Sequence, residues 1–223
     1  MRLTLTIEDV LRKLGDVGII SVVRAATFDE AAHAVDAVLA GGISIIEITI
    51  TVPNATAVIR QVVRQYGDDV LTGAGTVLTS DEAKQCLDAG AEFLVSPGVS
   101  VPVMSTARAC GKLAVPGALT TTELMNACEC GAKVIKIFPC GNLGGPKYLK
   151  SLRGPFPNVS LVPTGGVNGL NAADYMAAGA FALGVGTDLG DIAAIREGNS
   201  VKITSAAREL VDLVKRFRSA RLQ

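Results

Sequence analysis

Tryptophan is absent from the 223 residues, and aromatic side chains make up only 4% of them. The interior must therefore be filled with Ala, Val, Ile and Leu, the residues of parallel strands covered by helices on both faces. With hydrophobic residues at 49% and 24 glycines, this composition argues against a disordered chain and against an all-β sandwich. An excess of one charge sign is also lacking, since 21 basic residues balance 21 acidic ones. Basic residues occur at most as scattered pairs, so no long-range field favours nucleic acid or an anionic membrane. The N-terminal stretch MRLTLTIEDVLRKLGDVG lacks the uninterrupted apolar run of a signal peptide or membrane span, and the expected location is the cytoplasm.

Nitrogen and sulfur ligands are scarce. The single histidine, His33, falls in a helix-like stretch, and the five cysteines (Cys86, Cys110, Cys128, Cys130, Cys140) are odd in number and irregular in spacing. A chain this long builds a core without disulfide staples, so free thiols are expected. Cys128-x-Cys130 has neither a second pair nor a nearby histidine. A transition-metal site needs more ligands than this, and no metal is expected.

What the chain does have is a repeat. Short apolar runs recur, each opened by a glycine that ends an alanine-rich helical pattern. Gly42, Gly67, Gly90, Gly111, Gly131 and Gly179 mark them at gaps of 25, 23, 21, 20 and 48 residues, the last gap being two units. NVSLVPTGGV from Asn158 supplies the missing unit and GIISVVR from Gly18 the first, making eight. Glycine just past a helix end accepts the left-handed conformation that stops the helix, so one turn chemistry is reused around a ring. The intervening stretches carry apolar residues at three and four spacing behind cap residues. Eight βα units close most simply into a single-domain (β/α)8 TIM barrel over residues 1–223. An extra amphipathic helix over residues 6–14 is expected to plug its bottom. Residues 188–200, polar and glycine-bearing, read as a loop before a last helix over residues 204–218.

In such a barrel the C-terminal strand ends face one common site, so polar residues near them are the ones to question. AKVIKIFP places Lys136 between Ile135 and Ile137, on the face shared by Val134 and Phe138. Desolvation penalises the ammonium form and favours a neutral amine able to attack a ketone. Strand context alone leaves open a lysine that snorkels to solvent or pairs with an acid. Lys133, at the other end of the strand, reads as solvated. SIIEITI buries Glu47 in the same manner. Paired with Lys136 or Arg24 it would be a buried ion pair, and facing Lys136 across a barrel mouth it would also be a general base beside a nucleophile.

Arg24 ends the first strand and Thr76 the third, and either could hold a carboxylate or hydroxyl or be an ordinary surface or turn residue. Pro97, in SPG after the fourth strand, fixes the chain beside the site or simply makes a turn. PTGGV and GVGT end the last two strands. Glycines there let backbone amides approach an anion, at the position where barrels bind phosphate. Each motif alone is weak, because glycine pairs mark common turns. The two together point to a phosphorylated substrate.

Taken in order from Gly18 to Leu189, EITITVPNA, GAGTV, VSPG, KIFP, GPFPNVSLVPTGGV and GVGT resemble the 2-keto-3-deoxy-6-phosphogluconate (KDPG) aldolase family, also called 4-hydroxy-2-oxoglutarate (KHG) aldolase. The resemblance implies a class I aldolase, free of metal or organic cofactor, working as a homotrimer on a phosphorylated keto sugar acid and releasing pyruvate. It places the Schiff-base lysine at Lys136, the general acid/base at Glu47, a positioning threonine at Thr76 and pocket-lining residues at Pro97 and Phe138. Phosphate-binding glycines fall on Gly165, Gly166 and Gly186, with Thr187 where the family often has serine. One departure is Thr51, which stands where well-known members carry an arginine for the substrate carboxylate. Thr51 stays among the candidate substrate-binding residues, and Arg24 is expected to take the carboxylate.

The implied chemistry begins when Lys136 condenses with the C2 ketone, and the iminium then draws the electrons of the C3–C4 bond. Glu47 removes the C4 hydroxyl proton through a water. Rival readings are an aldolase for the phosphogalactonate epimer or for unphosphorylated KHG, a phosphosugar isomerase or epimerase, and a non-catalytic sugar-phosphate-binding barrel. An isomerase usually wants metal ligands or paired acids at the strand ends, and a binding protein has no need of Lys136 and Glu47 inside strands.

Overall fold

In the computed structural model, residues 5–221 are described. After helix α1 (Ile7–Val17), strands and helices alternate: β1 (Ile19–Val23), α2 (Phe28–Ala40), β2 (Ile45–Thr49), α3 (Ala55–Tyr66), β3 (Leu71–Gly75), α4 (Ser80–Asp88), β4 (Phe93–Val95) and α5 (Val101–Ala109). There follow β5 (Leu113–Val115), β6 (Gly117–Ala118), α6 (Thr121–Glu129), β7 (Val134–Ile137), α7 (Pro146–Arg153), β8 (Ser160–Pro163), α8 (Ala172–Ala177), β9 (Leu183–Val185), α9 (Ile192–Arg196) and α10 (Ser200–Arg221). Threonine starts several of these helices. Thr6, Thr79 and Thr120 accept from the third helical amide, while Asp9, Glu82 and Glu123 reach back to the threonine amide, satisfying two orphan donors at once. All six recurring glycines have positive φ, from 52° at Gly67 to 103° at Gly90, as the repeat predicts.

Every strand pairing is parallel. One sheet has the order β5-β4-β3-β2-β1-β9 and a second the order β6-β7-β8. The result is an α/β fold with a curled parallel sheet, in which the fifth predicted strand is divided into β5 and β6. Pro116, between them, has no amide to donate to a ladder. An isolated parallel bridge, Thr164 to Gly184, joins the last strands of the two sheets, and Phe181 donates to the Leu161 carbonyl at 2.8 Å.

Strand side chains sort into two buried clusters. Val23, Ile46, Ile48, Ala74, Leu94, Ile135 and Leu183 pack outward under the helices. Ile20, Ile45, Leu71, Phe93, Leu113, Val134 and Val162 pack inward, joined by Val10 and Leu14 of α1. Burying two such α1 side chains is worth roughly 1.5–3 kcal/mol each, which explains why α1 sits across the N-terminal ends of the strands. Along the inner face toward the C-terminal ends, the apolar set gives way to Glu47, Lys136 and glycines.

Two helix boundaries differ from expectation. The N-terminal helix continues to Val17, stopping only where Gly18 turns left-handed at φ 71°. Within the segment read as a loop lies α9, capped by the Asp191 side chain on the Ala194 amide at 3.0 Å, and α10 begins at Ser200. Gly190 and Gly198 flank the short apolar stretch IAAIR, so the punctuation outweighed the helix formers between them. Among the described residues no helix is long and apolar enough to cross a membrane.

Candidate active site

β2 and β7 present their charged residues to each other inside the curled sheet. Lys136 Nζ lies 3.6 Å from Glu47 Oε1, with the two side chains 4% and 3% exposed. Neither snorkels to solvent. The separation is an ion-pair contact, longer than a hydrogen bond, and Oε1 of Glu47 is buried without a hydrogen-bond partner. A buried oxygen left unpaired costs about 1–3 kcal/mol, a cost that is characteristic of a working site. Lys136 Nζ also stands 5.2 Å from the centroid of the Phe138 ring.

Glycines on neighbouring strands make the room. A Cβ at Gly75 would fall 2.0 Å from Glu47 Oε1, and one at Gly117 would fall 2.1 Å from the Pro97 carbonyl oxygen. Gly117 is the register partner of Lys136, so Pro97 abuts the strand beside the lysine. Thr76 follows Gly75 directly and holds φ at 62°. That left-handed conformation is rare for a β-branched residue, costing of order 1–3 kcal/mol, and such strain concentrates at functional sites.

A cavity of about 230 Å³ opens on the same rim, lined by Val22, Arg24, Phe138, Thr164, Gly165, Gly166, Gly186 and Thr187 among others. Val22 is the register partner of Glu47 and the Phe138 ring centroid is 5.2 Å from Lys136 Nζ, so two residues of the cavity wall neighbour the Lys136–Glu47 pair. Gly165 and Gly166 have φ of 84° and 82°, conformations that only glycine adopts freely. Arg24 is exposed on this rim. Thr51 lies at the neighbouring strand end, its hydroxyl 2.8 Å from that of Thr49, which donates to the Val23 carbonyl at 3.2 Å. Of the residues singled out from sequence, Arg24, Phe138, Gly165, Gly166, Gly186 and Thr187 share the cavity, Lys136 and Glu47 adjoin it, and Thr51, Thr76 and Pro97 stand on adjacent strand ends.

Thr164 and Thr49 join these residues without being among the sequence candidates. Thr164 is 5% exposed and lines the cavity; it shares the inner face of β8 with Val162, a parity that could have found it. Thr49 shares the inner face of β2 with Glu47 on the same rule. A larger outer cleft of about 470 Å³ holds His33 and Asp36, on the far side of α2 from this pair. All five cysteines are free thiols, Cys86 and Cys140 buried. Among the described residues no group of three or more His, Cys, Asp or Glu side chains could hold a metal ion.

The family model for "KDPG and KHG aldolase" matches residues 7–206. The chain is 32% identical over 197 residues to a KHG/KDPG aldolase of Escherichia coli, covering 88% of this chain and 92% of that one. It is 35% identical over 203 residues to a 2-dehydro-3-deoxy-6-phosphogalactonate aldolase of the same organism, covering 91% and 95%. Among solved structures, a KDPG aldolase from Legionella pneumophila, with pyruvate captured as a covalent carbinolamine intermediate, superimposes with a TM-score of 0.83 at 29% identity over 90% of this chain and 97% of that one.

Proposed function

Because the chain belongs to the KDPG and KHG aldolase family of carbon–carbon lyases, we propose that it cleaves 2-keto-3-deoxy-6-phosphogluconate to pyruvate and glyceraldehyde 3-phosphate through a Schiff base on Lys136. The observation that carries this reading is the nearly dry lysine amine 3.6 Å from a glutamate carboxylate, on the rim of a cavity with two glycine loops.

Lys136 Nζ adds to the C2 ketone, and loss of water gives an iminium. Glu47, through a water, accepts the C4 hydroxyl proton as the C3–C4 bond breaks and its electrons pass to the iminium. The aldehyde leaves, Glu47 returns a proton to C3 of the enamine, and hydrolysis frees pyruvate and the amine. The iminium is the electron sink, so the cycle uses no cofactor. Arg24 pairs with the substrate carboxylate, with the Thr51 hydroxyl beside it. Gly165, Gly166, Gly186 and Thr187 receive the phosphate with amides and a hydroxyl. Phe138 and Pro97 wall the pyruvate half, and Thr76 orients it.

The architecture proposed for this chemistry is one closed (β/α)8 barrel spanning the whole chain as a single domain. Its support is the Thr164–Gly184 bridge and the bond from Lys136 N–H to the Pro116 carbonyl at 2.9 Å, which carries β7 past the break. A homotrimer is proposed with it. Leu78, after β3, and Val101, the first residue of α5, are 54% and 53% exposed; the Ser100 hydroxyl beside Val101 donates to the Leu78 carbonyl, and an association would cover both side chains.

Incubation with pyruvate and borohydride, then peptide mass mapping, tests the reading: the reduced adduct is expected on the peptide holding Lys136, and an unmodified Lys136 refutes it. The galactonate epimer is a second substrate to compare, because the phosphogalactonate aldolase relative is 35% identical to this chain. The ratio of kcat/KM on the two epimers decides between them.

A further inference from the structure

The segment after the Lys136 strand grips the Gly165–Gly166 loop with its backbone. Cys140 N–H donates to the Thr164 carbonyl at 2.9 Å and Gly141 N–H to the Gly165 carbonyl at 2.8 Å. A Cβ on Gly141 would meet that same Gly165 oxygen at 2.8 Å and Gly166 Cα at 3.1 Å. A displacement of residues 140 and 141 is therefore passed directly to the two glycines that line the cavity.

Residues 140–145 form a closed turn. Leu143 and Gly145 donate to the Cys140 carbonyl at 3.2 and 3.1 Å, and the buried Cys140 thiol donates to the Gly145 carbonyl at 3.7 Å. Gly145 holds φ 60°, ψ −127°, a conformation closed to residues with side chains. Above it lies Tyr175 of α8, fully buried, its hydroxyl 3.2 Å from where a Gly145 Cβ would be. Burial pushes the Cys140 thiol up to about 11, an effect the nearby Tyr175 hydroxyl partly offsets; burial and the neighbouring Cys140 raise the Tyr175 hydroxyl well above the usual phenol range. Both stay protonated near neutral pH.

The Tyr175 hydroxyl reaches no partner at full hydrogen-bond geometry, although a phenylalanine would fill the same space without a buried polar atom. Asn171, the residue that leads into α8, holds the other side of the loop as well, its Nδ2 donating to the Gly166 carbonyl at 2.7 Å. The loop is thus held between the 140–145 turn and α8, and Cys140 and Tyr175 are where those two holders meet.

We propose that Cys140 and Tyr175 are positioning residues for the phosphate of the substrate: they seat the 140–145 turn against α8 so that its two amides keep the Gly165–Gly166 loop in its anion-receiving shape. The proposal rests on the aldolase reading above. Cys140→Ala, which removes the thiol bond to Gly145, and Tyr175→Leu, which removes the ring over that glycine, are each expected to raise KM for the phosphorylated substrate about fivefold, a loss on the order of one ordinary hydrogen bond, with kcat within about twofold. The rate at which pyruvate and borohydride trap Lys136, which needs no phosphate, is expected to stay at the wild-type value. Cys140→Ser, which keeps a donor for Gly145, restores KM.

In variants whose circular dichroism and melting match the wild type, an unchanged KM overturns the proposal. So does a loss of trapping in step with the loss of affinity, since the two residues would then support the whole site. Failure of the wild-type chain itself to be trapped at Lys136 overturns the aldolase reading and the proposal with it. Normal trapping with unselective variants overturns the proposal alone.

Discussion

Gly75 lacks a side chain where Glu47 has its carboxylate: a Cβ there would lie 2.0 Å from Oε1. The glutamate carboxylate fills space that β3 leaves empty, and the strand is kept bare so that the acid can lie beside Lys136. Gly75→Ala should push the carboxylate away from the amine. A displacement near 1 Å costs about 10²-fold in rate, so kcat is expected to fall by that order in a chain that still folds. Steady-state kinetics beside a thermal melt check it, and wild-type kcat in Gly75→Ala would show that the position of Glu47 does not matter.

Replacing Lys136 by methionine should abolish borohydride trapping, with a rate loss of at least about 10³-fold because the covalent route is gone. It also leaves Glu47 buried without its cation, and breaking one member of a buried pair costs about 3–5 kcal/mol. The double variant Lys136→Met/Glu47→Gln is expected to recover part of that stability. Denaturant unfolding of both variants measures the difference, and a double variant less stable than the single one contradicts the pairing.

Arg24→Ala removes the one guanidinium that lines the cavity. A hydrogen bond to a charged group is worth about 1.5–3 kcal/mol, so the concentration of pyruvate needed for half-maximal trapping should rise roughly ten- to hundredfold. Pyruvate carries a carboxylate and no phosphate. A variant that binds pyruvate normally but the phosphorylated substrate poorly would reassign Arg24 to the phosphate.

The Glu123 cap is sensitive to pH. Backbone amides of Thr120 and Leu119 hold its carboxyl below the usual range near 4.5, so its contribution is complete above the unfolded value and disappears as pH falls through the lower folded one. Solvent exposure keeps the effect under about 1 kcal/mol. The gap in melting temperature between wild type and Glu123→Gln is therefore expected at pH 7 and absent near pH 2, with activity at pH 7 unchanged. No gap at pH 7 would assign the cap to the Thr120 hydroxyl alone, which both chains keep.

The order of elements was legible in the amino-acid sequence because its signals are local. A glycine that must turn left-handed, a threonine with an acid three residues on, and an apolar run of five residues each act within one turn of chain, so the repeat predicted the succession of strands and helices. Where local signals conflicted, as glycines against helix formers around Ile192–Arg196, the reading erred. Lys136 and Glu47 were visible as charges inside apolar strands, since alternation alone places them on a buried face.

Only the tertiary structure decided which buried groups meet. The 3.6 Å between Lys136 and Glu47 depends on the curl of the sheet, which carries β2 and β7 across from each other over 89 residues of chain. Thr164, Gly75 and Gly117 gained their meaning the same way, because a small or polar residue looks ordinary in its own strand until a neighbour's side chain occupies the space above it. Pro116 could be read as a ladder break, but how the two resulting sheets approach depends on contacts between residues distant in sequence, and those are fixed by packing.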